Sequence, residues 1–323
     1  MRSPADAADT DGHERPWPGR PRLIVLVGPT AVGKTAVAIQ LAQSLTGEIV
    51  SADSRYLYCG LDIGTAKPTA SERALVPHHL IDVTTPDKPW SLADYQRAAY
   101  ASIEAILARG HVPLLVGGTG QYVRAVVEGW QVPPGAPAGP LRAALEELLA
   151  SQGVGALADR LRDVDPESAL RVDLRNPRRV IRALEVALTT GASFVSQRRK
   201  SPPPFAAVWL GLTRPRAELY ARIDARVDAM LAGGLVEEVE RLRRQGYGWD
   251  LPAMSALGYS QIGSYLRGEI GLDEAVRQIK RATRQFVRRQ ANWFKPQGDS
   301  LRWFQASPGV AAEMAAWLKR PED

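Results

Sequence analysis

The stretch Leu23–Thr35, LIVLVGPTAVGKT, decides how the chain is read. Leu23 to Val27 are five apolar residues in a row, the length and composition of a buried strand. Gly28, Pro29, Thr30, Ala31, Val32, Gly33, Lys34 and Thr35 then satisfy G-x-x-x-x-G-K-[ST] in full. From Ala36 the pattern turns helical, with Val37, Leu41 and Leu45 four apart. Strand, glycine loop and helix form the setting of a phosphate-binding loop. Backbone N–H groups at a helix N-terminus attract an anion. Lys34 adds a positive charge, and the Thr35 hydroxyl suits a Mg²⁺ ion. A chance glycine turn is the plain alternative, and the buried strand before the loop argues against it. The motif does not say whose phosphates are held.

Working outward, the totals set bounds. The 323 residues suit one large domain or two of ordinary size, and a 45% hydrophobic fraction is enough for a core. No run approaches the roughly 18 apolar residues of a membrane span, so no membrane partner is expected. The single Cys59 excludes a disulfide framework or a cysteine-rich zinc site and fits a reducing cytoplasm. Residues 1–21, rich in Ala, Asp, Pro and Gly, lack the apolar centre of a signal peptide and read as a disordered tail. The net charge of +6 is unevenly spread. Arg171–Lys200 holds eight basic residues against Asp173 and Glu185, and Arg277–Lys295 holds seven against no acid. Such clustering is the footprint of a polyanion partner, with solvated helix faces as the plain alternative.

The fold class that follows is α/β: a P-loop NTPase-like core with a parallel sheet flanked by helices, plus a mainly helical insertion. Glu48–Ser51 reads as a strand that delivers Asp53 to its carboxyl end, where open parallel sheets place their ligands. Asp53 there suits a general base or a Mg²⁺ ligand, or merely caps the next turn. His78–Asp82 reads as a short strand whose adjacent histidines point to opposite sides and make a poor metal pair. Ser91 caps a helix to Ala108, and Val112–Val116 is a buried strand leading into Gly117-Gly118-Thr119-Gly120. Many P-loop enzymes carry a Mg²⁺-binding Asp at such a strand end, and its absence weakens an ATPase or kinase reading.

Val132–Pro140 is a linker by composition, after which helices dominate. Asn176-Pro177 caps a helix running to Thr190, with Arg178 and Arg182 expected on one solvent face. Strand Phe205–Leu212 returns to the core. The helix after Pro215 carries Arg222 and Arg226, which suit a pyrophosphate clamp or ion pairs with Asp224, Asp228 or Glu218. Leu272–Phe294 is a long basic helix. The expected organisation is a tail at 1–21, a core in two parts at 22–132 and 205–323, and a helical insertion at 133–204.

These motifs, in this order, resemble the tRNA dimethylallyltransferases, or tRNA isopentenyltransferases, from about Leu23 to Phe304. The resemblance rests on GPTAVGKT (Gly28–Thr35), SADS (Ser51–Ser54), LDIGTAKP (Leu61–Pro68), HHLID (His78–Asp82) and LVGGTGQY (Leu115–Tyr122). It continues through NPRRVIRALEV (Asn176–Val186), RIDARVDAML (Arg222–Leu231), LGY (Leu257–Tyr259) and TRQFVRRQ (Thr283–Gln290). Tyr56 stands where Gln is common in the family, Gln121 where Leu is usual, and Phe286, Val287 and Arg288 where Tyr, Ala and Lys are frequent. None of these removes a charged or hydroxyl group assigned to chemistry.

The resemblance implies transfer of a dimethylallyl group from dimethylallyl diphosphate to N6 of adenosine 37 in tRNA, with release of pyrophosphate. It implies that the P-loop holds the diphosphate instead of ATP, and that Mg²⁺, Lys34 and Arg222 neutralise the leaving group. Asp53 would take the amine proton, and Thr119 would hold the base or the donor's bridging region. The same resemblance implies contact with the tRNA anticodon stem-loop by Asp53, Ser54, Arg55, Tyr56, Thr119, Arg142 and Asn176-Pro177-Arg178-Arg179-Val180. Met254, Ser255, Ala256, Leu257, Gly258 and Tyr259 complete that set. The chain is expected to act as a monomer in the cytoplasm. A prenyltransferase for free adenine nucleotides and a small-molecule P-loop kinase share the loop but leave the basic segments unexplained, and a binding module with a vestigial loop conflicts with the intact Lys34 and Thr35.

Overall fold

The computed structural model describes residues 20–132, 139–197, 200–294 and 301–319. Most of the expected tail, positions 133–138 of the expected linker, and the basic residues Arg198, Arg199 and Lys295 lie outside the described residues. Six parallel strands form one sheet: β1 (Arg22–Val27), β2 (Gly47–Ser51), β3 (His78–His79), β4 (Val112–Gly117), β5 (Ala206–Thr213) and β6 (Leu301–Gln305). Their order is β3-β2-β4-β1-β5-β6. β1 is central, and its last five residues are buried, as a strand covered on both faces requires.

The register sets up the site. Val27 pairs with Gly117 on one side and Gly211 on the other, and Ser51 pairs with Val116. The loops leaving β1, β2 and β4 therefore emerge side by side at one edge. Chain order reverses across β1, which makes this the crevice where such sheets bind ligands.

On one face α1 (Lys34–Ser44), the start of α8 (Arg216–Ala232) and α12 (Val310–Leu318) pack against Ile24, Leu26 and Leu210. On the other, α3 (Leu92–Ala108) and α4 (Gly120–Val127) cover Leu23, Val25 and Leu115. Ser91 forms a capping box with Asp94, and Tyr95, Ala99, Ile103 and Ile106 bury the inner stripe of α3. Tyr95 stacks on Tyr122 and donates its hydroxyl to the Ser51 carbonyl at 3.0 Å. That bond fixes the end of β2 two residues before Asp53. The short α2 (Ala70–Leu75) borders the same edge.

Two further apolar clusters lie outside the sheet. One joins α8, α9 (Leu235–Arg244), α10 (Tyr259–Leu266) and α11 (Leu272–Phe294) around Val239, Met254, Tyr259 and Ile279. The other is built by α5 (Pro140–Val164) and α7 (Pro177–Thr190), with α6 (Pro166–Ala169) between them, around Leu157, Leu161, Val180 and Leu184. α5 contains a break at Gly153, where two helical stretches meet. No helix among the described residues is long and apolar enough to cross a membrane.

The structure corrects several sequence expectations. HHLID supplies only two strand residues, because Leu80 and Asp82 take φ of 61° and 57°, where a strand cannot continue. α1 starts at Lys34, ahead of the apolar periodicity. α2, α4, β6 and α12 were not legible. Arg182 does not share the solvent face of Arg178; it turns inward to Glu185 at 3.6 Å. Glu48 on β2 is buried and meets His79 at 2.6 Å, His111 at 2.7 Å and Arg109 at 2.8 Å, which gives His79 a structural part.

Candidate active site

The phosphate loop is held from outside. A Cβ on Gly28 would lie 2.5 Å from the Leu212 carbonyl oxygen, so β5 can pack here only against glycine. Arg222 Nε donates to the Ala31 carbonyl at 2.9 Å, and Arg214 Nε to the Val32 carbonyl at 2.9 Å. A planar trans peptide whose carbonyl is pulled one way aims the next N–H the other way. Drawing the Val32 carbonyl towards Arg214 thus turns the Gly33 N–H to the opposite side of the loop. Lys34 folds back and donates to the carbonyls of Gly28 and Pro29, both at 2.8 Å. Burial pushes its ammonium down to about 8, against the opposing pull of Asp53.

The loop opens into a cavity of about 1000 Å³. Lys34, Lys67, Arg73, Arg222 and Arg226 share its walls with Asp53, Asp62, Glu72 and Asp82, a narrow excess of cations, and Lys34 and Thr35 lie at the loop itself. A second cavity of about 420 Å³ is bordered by Thr119, Met230, Leu257, Gly258, Ile279 and Trp293, with Arg55 and Arg289 also in its walls. Thr30, Ala31, Asp53, Thr65, Arg226, Phe286 and Gln290 line both, so Asp53 stands where the phosphate-loop cavity meets the second one.

Asp53 performs the capping role as well as facing the cavities: its Oδ1 accepts from the Arg55 N–H at 2.9 Å. Thr119 begins α4, yet its hydroxyl does not cap that helix; it accepts from the Ser54 N–H at 3.1 Å. The β2 and β4 loops are thereby stitched together beside Asp53. Arg226 reaches Thr30 Oγ1 at 3.4 Å and the Ala66 carbonyl at 3.5 Å. The acids once weighed as partners for Arg222 and Arg226 go elsewhere: Asp224 pairs with Arg284, Asp228 with Lys280 and Glu218 with Arg214.

Three residues that sequence reasoning left without roles hold the walls. Gln290 accepts from the Thr30 N–H at 2.9 Å and donates to the Gly118 carbonyl at 3.1 Å. Lys67, almost wholly buried, donates to Asp62 and Asp82 at 2.6 Å and to the Tyr58 carbonyl at 2.9 Å. Glu238, also buried, accepts from the N–H groups of Asp62, Ile63 and Gly64 and from the Tyr259 hydroxyl at 2.5 Å. Burial beside that carboxylate holds the Tyr259 phenol far above its ordinary range. Gln290 and Arg226 stood inside recognised motifs. Glu238 had no signal, because a Glu on a charged helix reads as solvent-facing.

The residues expected to contact RNA divide by burial. Ser54, Arg55, Tyr56, Ser255, Leu257 and Gly258 border the cavities. Met254, Ala256 and Tyr259 are core side chains at 2% exposure or less. Val180 is fully buried between α5 and α7, and Asn176 accepts from the Arg179 N–H as the cap of α7. Arg142 pairs with Glu146 and Glu185. Arg178 and Arg179 are exposed, with no ion pair among the described residues.

Family comparison agrees with this architecture. The IPP transferase family model matches residues 56–297, and the isopentenyl transferase model matches residues 21–81. A tRNA dimethylallyltransferase of Roseiflexus sp. (strain RS-1) is 56% identical over 273 residues, covering 84% of this chain and 90% of that protein. One from Herpetosiphon aurantiacus is 52% identical over 303 residues, covering 94% and 96%. Among solved structures, the tRNA isopentenylpyrophosphate transferase of Bacillus halodurans aligns with a TM-score of 0.69 at 40% identity, covering 92% of this chain and 95% of that one. A eukaryotic dimethylallyltransferase acting on tRNA aligns with a TM-score of 0.78 at 25% identity, covering 92% and 77%. With three quarters of its length inside the family model and relatives this similar, the chain belongs to the IPP transferase family of tRNA dimethylallyltransferases.

Proposed function

We propose that the protein transfers the dimethylallyl group of dimethylallyl diphosphate to N6 of adenosine 37 in tRNA. The observation that carries this is the junction at Asp53, with the P-loop cavity on one side and a second, Thr119-bordered cavity on the other. The diphosphate lies on the amides at the start of α1, with Lys34, Arg222 and Arg226 around it. The allyl group points past Asp53, and the adenine enters through the second cavity, taken out of the stack of the anticodon loop. N6 attacks the allylic carbon as the C–O bond breaks. The proton of N6 passes to the Asp53 carboxylate, and pyrophosphate leaves onto the cations. Thr119 holds the Ser54 backbone, and with it the base-facing loop, in register with Asp53.

The donor set fits Mg²⁺. Thr35 would offer its hydroxyl oxygen beside the phosphates, and Mg²⁺ takes few protein ligands when a substrate phosphate is present. When bound, the ion supplies charge neutralisation to the departing diphosphate. The exposed Arg178 and Arg179 at the start of α7 support the α5–α7 unit as the grip on the anticodon stem, whereas Arg142 is held by Glu146 and Glu185; the protein would act as a cytoplasmic monomer.

The test is a transfer assay with Mg²⁺, radiolabelled dimethylallyl diphosphate and either an anticodon stem-loop or free AMP. Label in the stem-loop that disappears when adenosine 37 is replaced supports the reading. Label in AMP alone moves the chain to nucleotide prenylation, and ATP turnover without label means a kinase.

A further inference from the structure

Gln290 is buried on α11, far from the loop in sequence, yet its carboxamide is spent on the two loops that form the site. Its oxygen takes the Thr30 N–H at 2.9 Å and its nitrogen donates to the Gly118 carbonyl at 3.1 Å. The fit is close: a Cβ on Gly118 would lie 2.2 Å from Gln290 Nε2. The carboxamide therefore occupies the space that any side chain at position 118 would need.

Amides of a phosphate loop are its anion ligands. Here Thr30 has given its N–H to Gln290, and Val32 has given its N–H to the Pro29 carbonyl. Apart from Ala31, what remains for an anion lies towards Gly33, Lys34 and Thr35 at the first turn of α1. Gln290 also lines both cavities, at the same boundary as Asp53.

We infer that Gln290 is a specificity-determining residue that ends the phosphate-binding strip at two phosphates. Resting on the diphosphate reading above, this explains how a loop of nucleotide-binding type serves a diphosphate donor. A third phosphate extending past Thr30 meets a carboxamide oxygen, an acceptor that repels it, and finds the amide already occupied. An allyl carbon at the same place meets no such conflict.

The experiment compares the affinities of pyrophosphate and tripolyphosphate by calorimetry, at saturating Mg²⁺, for the wild type, Gln290→Ala and Gln290→Met. The wild type should favour pyrophosphate. In Gln290→Ala that ratio should move towards tripolyphosphate by about tenfold, the worth of one hydrogen bond to a charged group. Gln290→Met keeps the volume and frees the Thr30 N–H, so it should shift the ratio in the same direction by less, and it stands in if the alanine variant fails to fold. A side chain that merely braces the loops would weaken both ligands equally and leave the ratio unchanged, which would overturn the inference while leaving pyrophosphate binding intact. A wild type that prefers tripolyphosphate would overturn it too. A wild type that binds neither anion would instead remove the diphosphate reading.

Discussion

Asp53 and Lys34 face each other across the mouth of the phosphate loop, and each predicts a distinct measurement. If Asp53 accepts the amine proton, Asp53→Asn should lower kcat for transfer to the stem-loop by about 10²–10⁴. Near-normal turnover under single-turnover conditions would remove that role. Lys34 behaves in the opposite sense. Burial lowers its pKa to about 8, so the ammonium is present below that pH and is lost as pH rises through it. Pyrophosphate affinity should therefore fall by about tenfold between pH 7 and 9 in the wild type, and this limb should be missing in Lys34→Ala. Asp53, Lys34 and Thr35 were all legible from their motifs. Gln290, Lys67 and Glu238 were not, because a polar residue on a helix or loop acquires a role only from the backbone it meets, and sequence spacing does not reveal which backbone that is.

Individual elements carry their own cation accounting. On β2, burial of Glu48 works against its ionisation, but hydrogen bonds from Arg109, His79 and His111 outweigh it and hold the carboxyl at about 2. A carboxyl whose folded pKa is depressed stabilises fully above its ordinary pKa of 4.5, and that contribution disappears as pH falls from there towards 2. Glu48→Gln should cost about 2 kcal/mol near neutrality, a figure kept low because Arg109 and the two histidines reach solvent. Urea unfolding at pH 7 and pH 3 checks it, with the gap between variant and wild type narrowing at the lower pH. From Arg277 to its end α11 shows basic residues with no acid between them, but Glu274 in its first turn meets Arg277 and neighbouring elements supply further acids. Lys280 meets Asp228 at 2.6 Å and Arg284 meets Asp224, both on α8. Arg281 and Arg288 stay exposed, with no ion pair among the described residues. A linear charge count thus overstates what the helix offers a polyanion.

At the scale of the molecule, the exposed arginines of α7 and α11 lie on separate units, and both should act on one RNA if the proposed grip is right. Arg178→Ala with Arg179→Ala, and separately Arg281→Ala with Arg288→Ala, should each weaken stem-loop binding. Each pair should flatten the slope of log K against log salt by up to about one unit per arginine. Filter binding across a salt series reads this, and an unchanged slope for either pair would mark that face as merely solvated. The sequence by itself determined the phosphate loop, the strands β1, β2, β4 and β5, the helical character of the insertion and the family. Those features are local: a buried strand, a glycine loop and a 3.6-residue period are written in consecutive residues. Only the tertiary structure decided that the loops of β1, β2 and β4 emerge together, that Asp53 stands between two adjoining cavities, and that Gln290 closes the loop from α11. The physical reason is that parallel strands are joined by long crossovers. Groups that share a site then come from distant parts of the chain, and strand order and register bring them together.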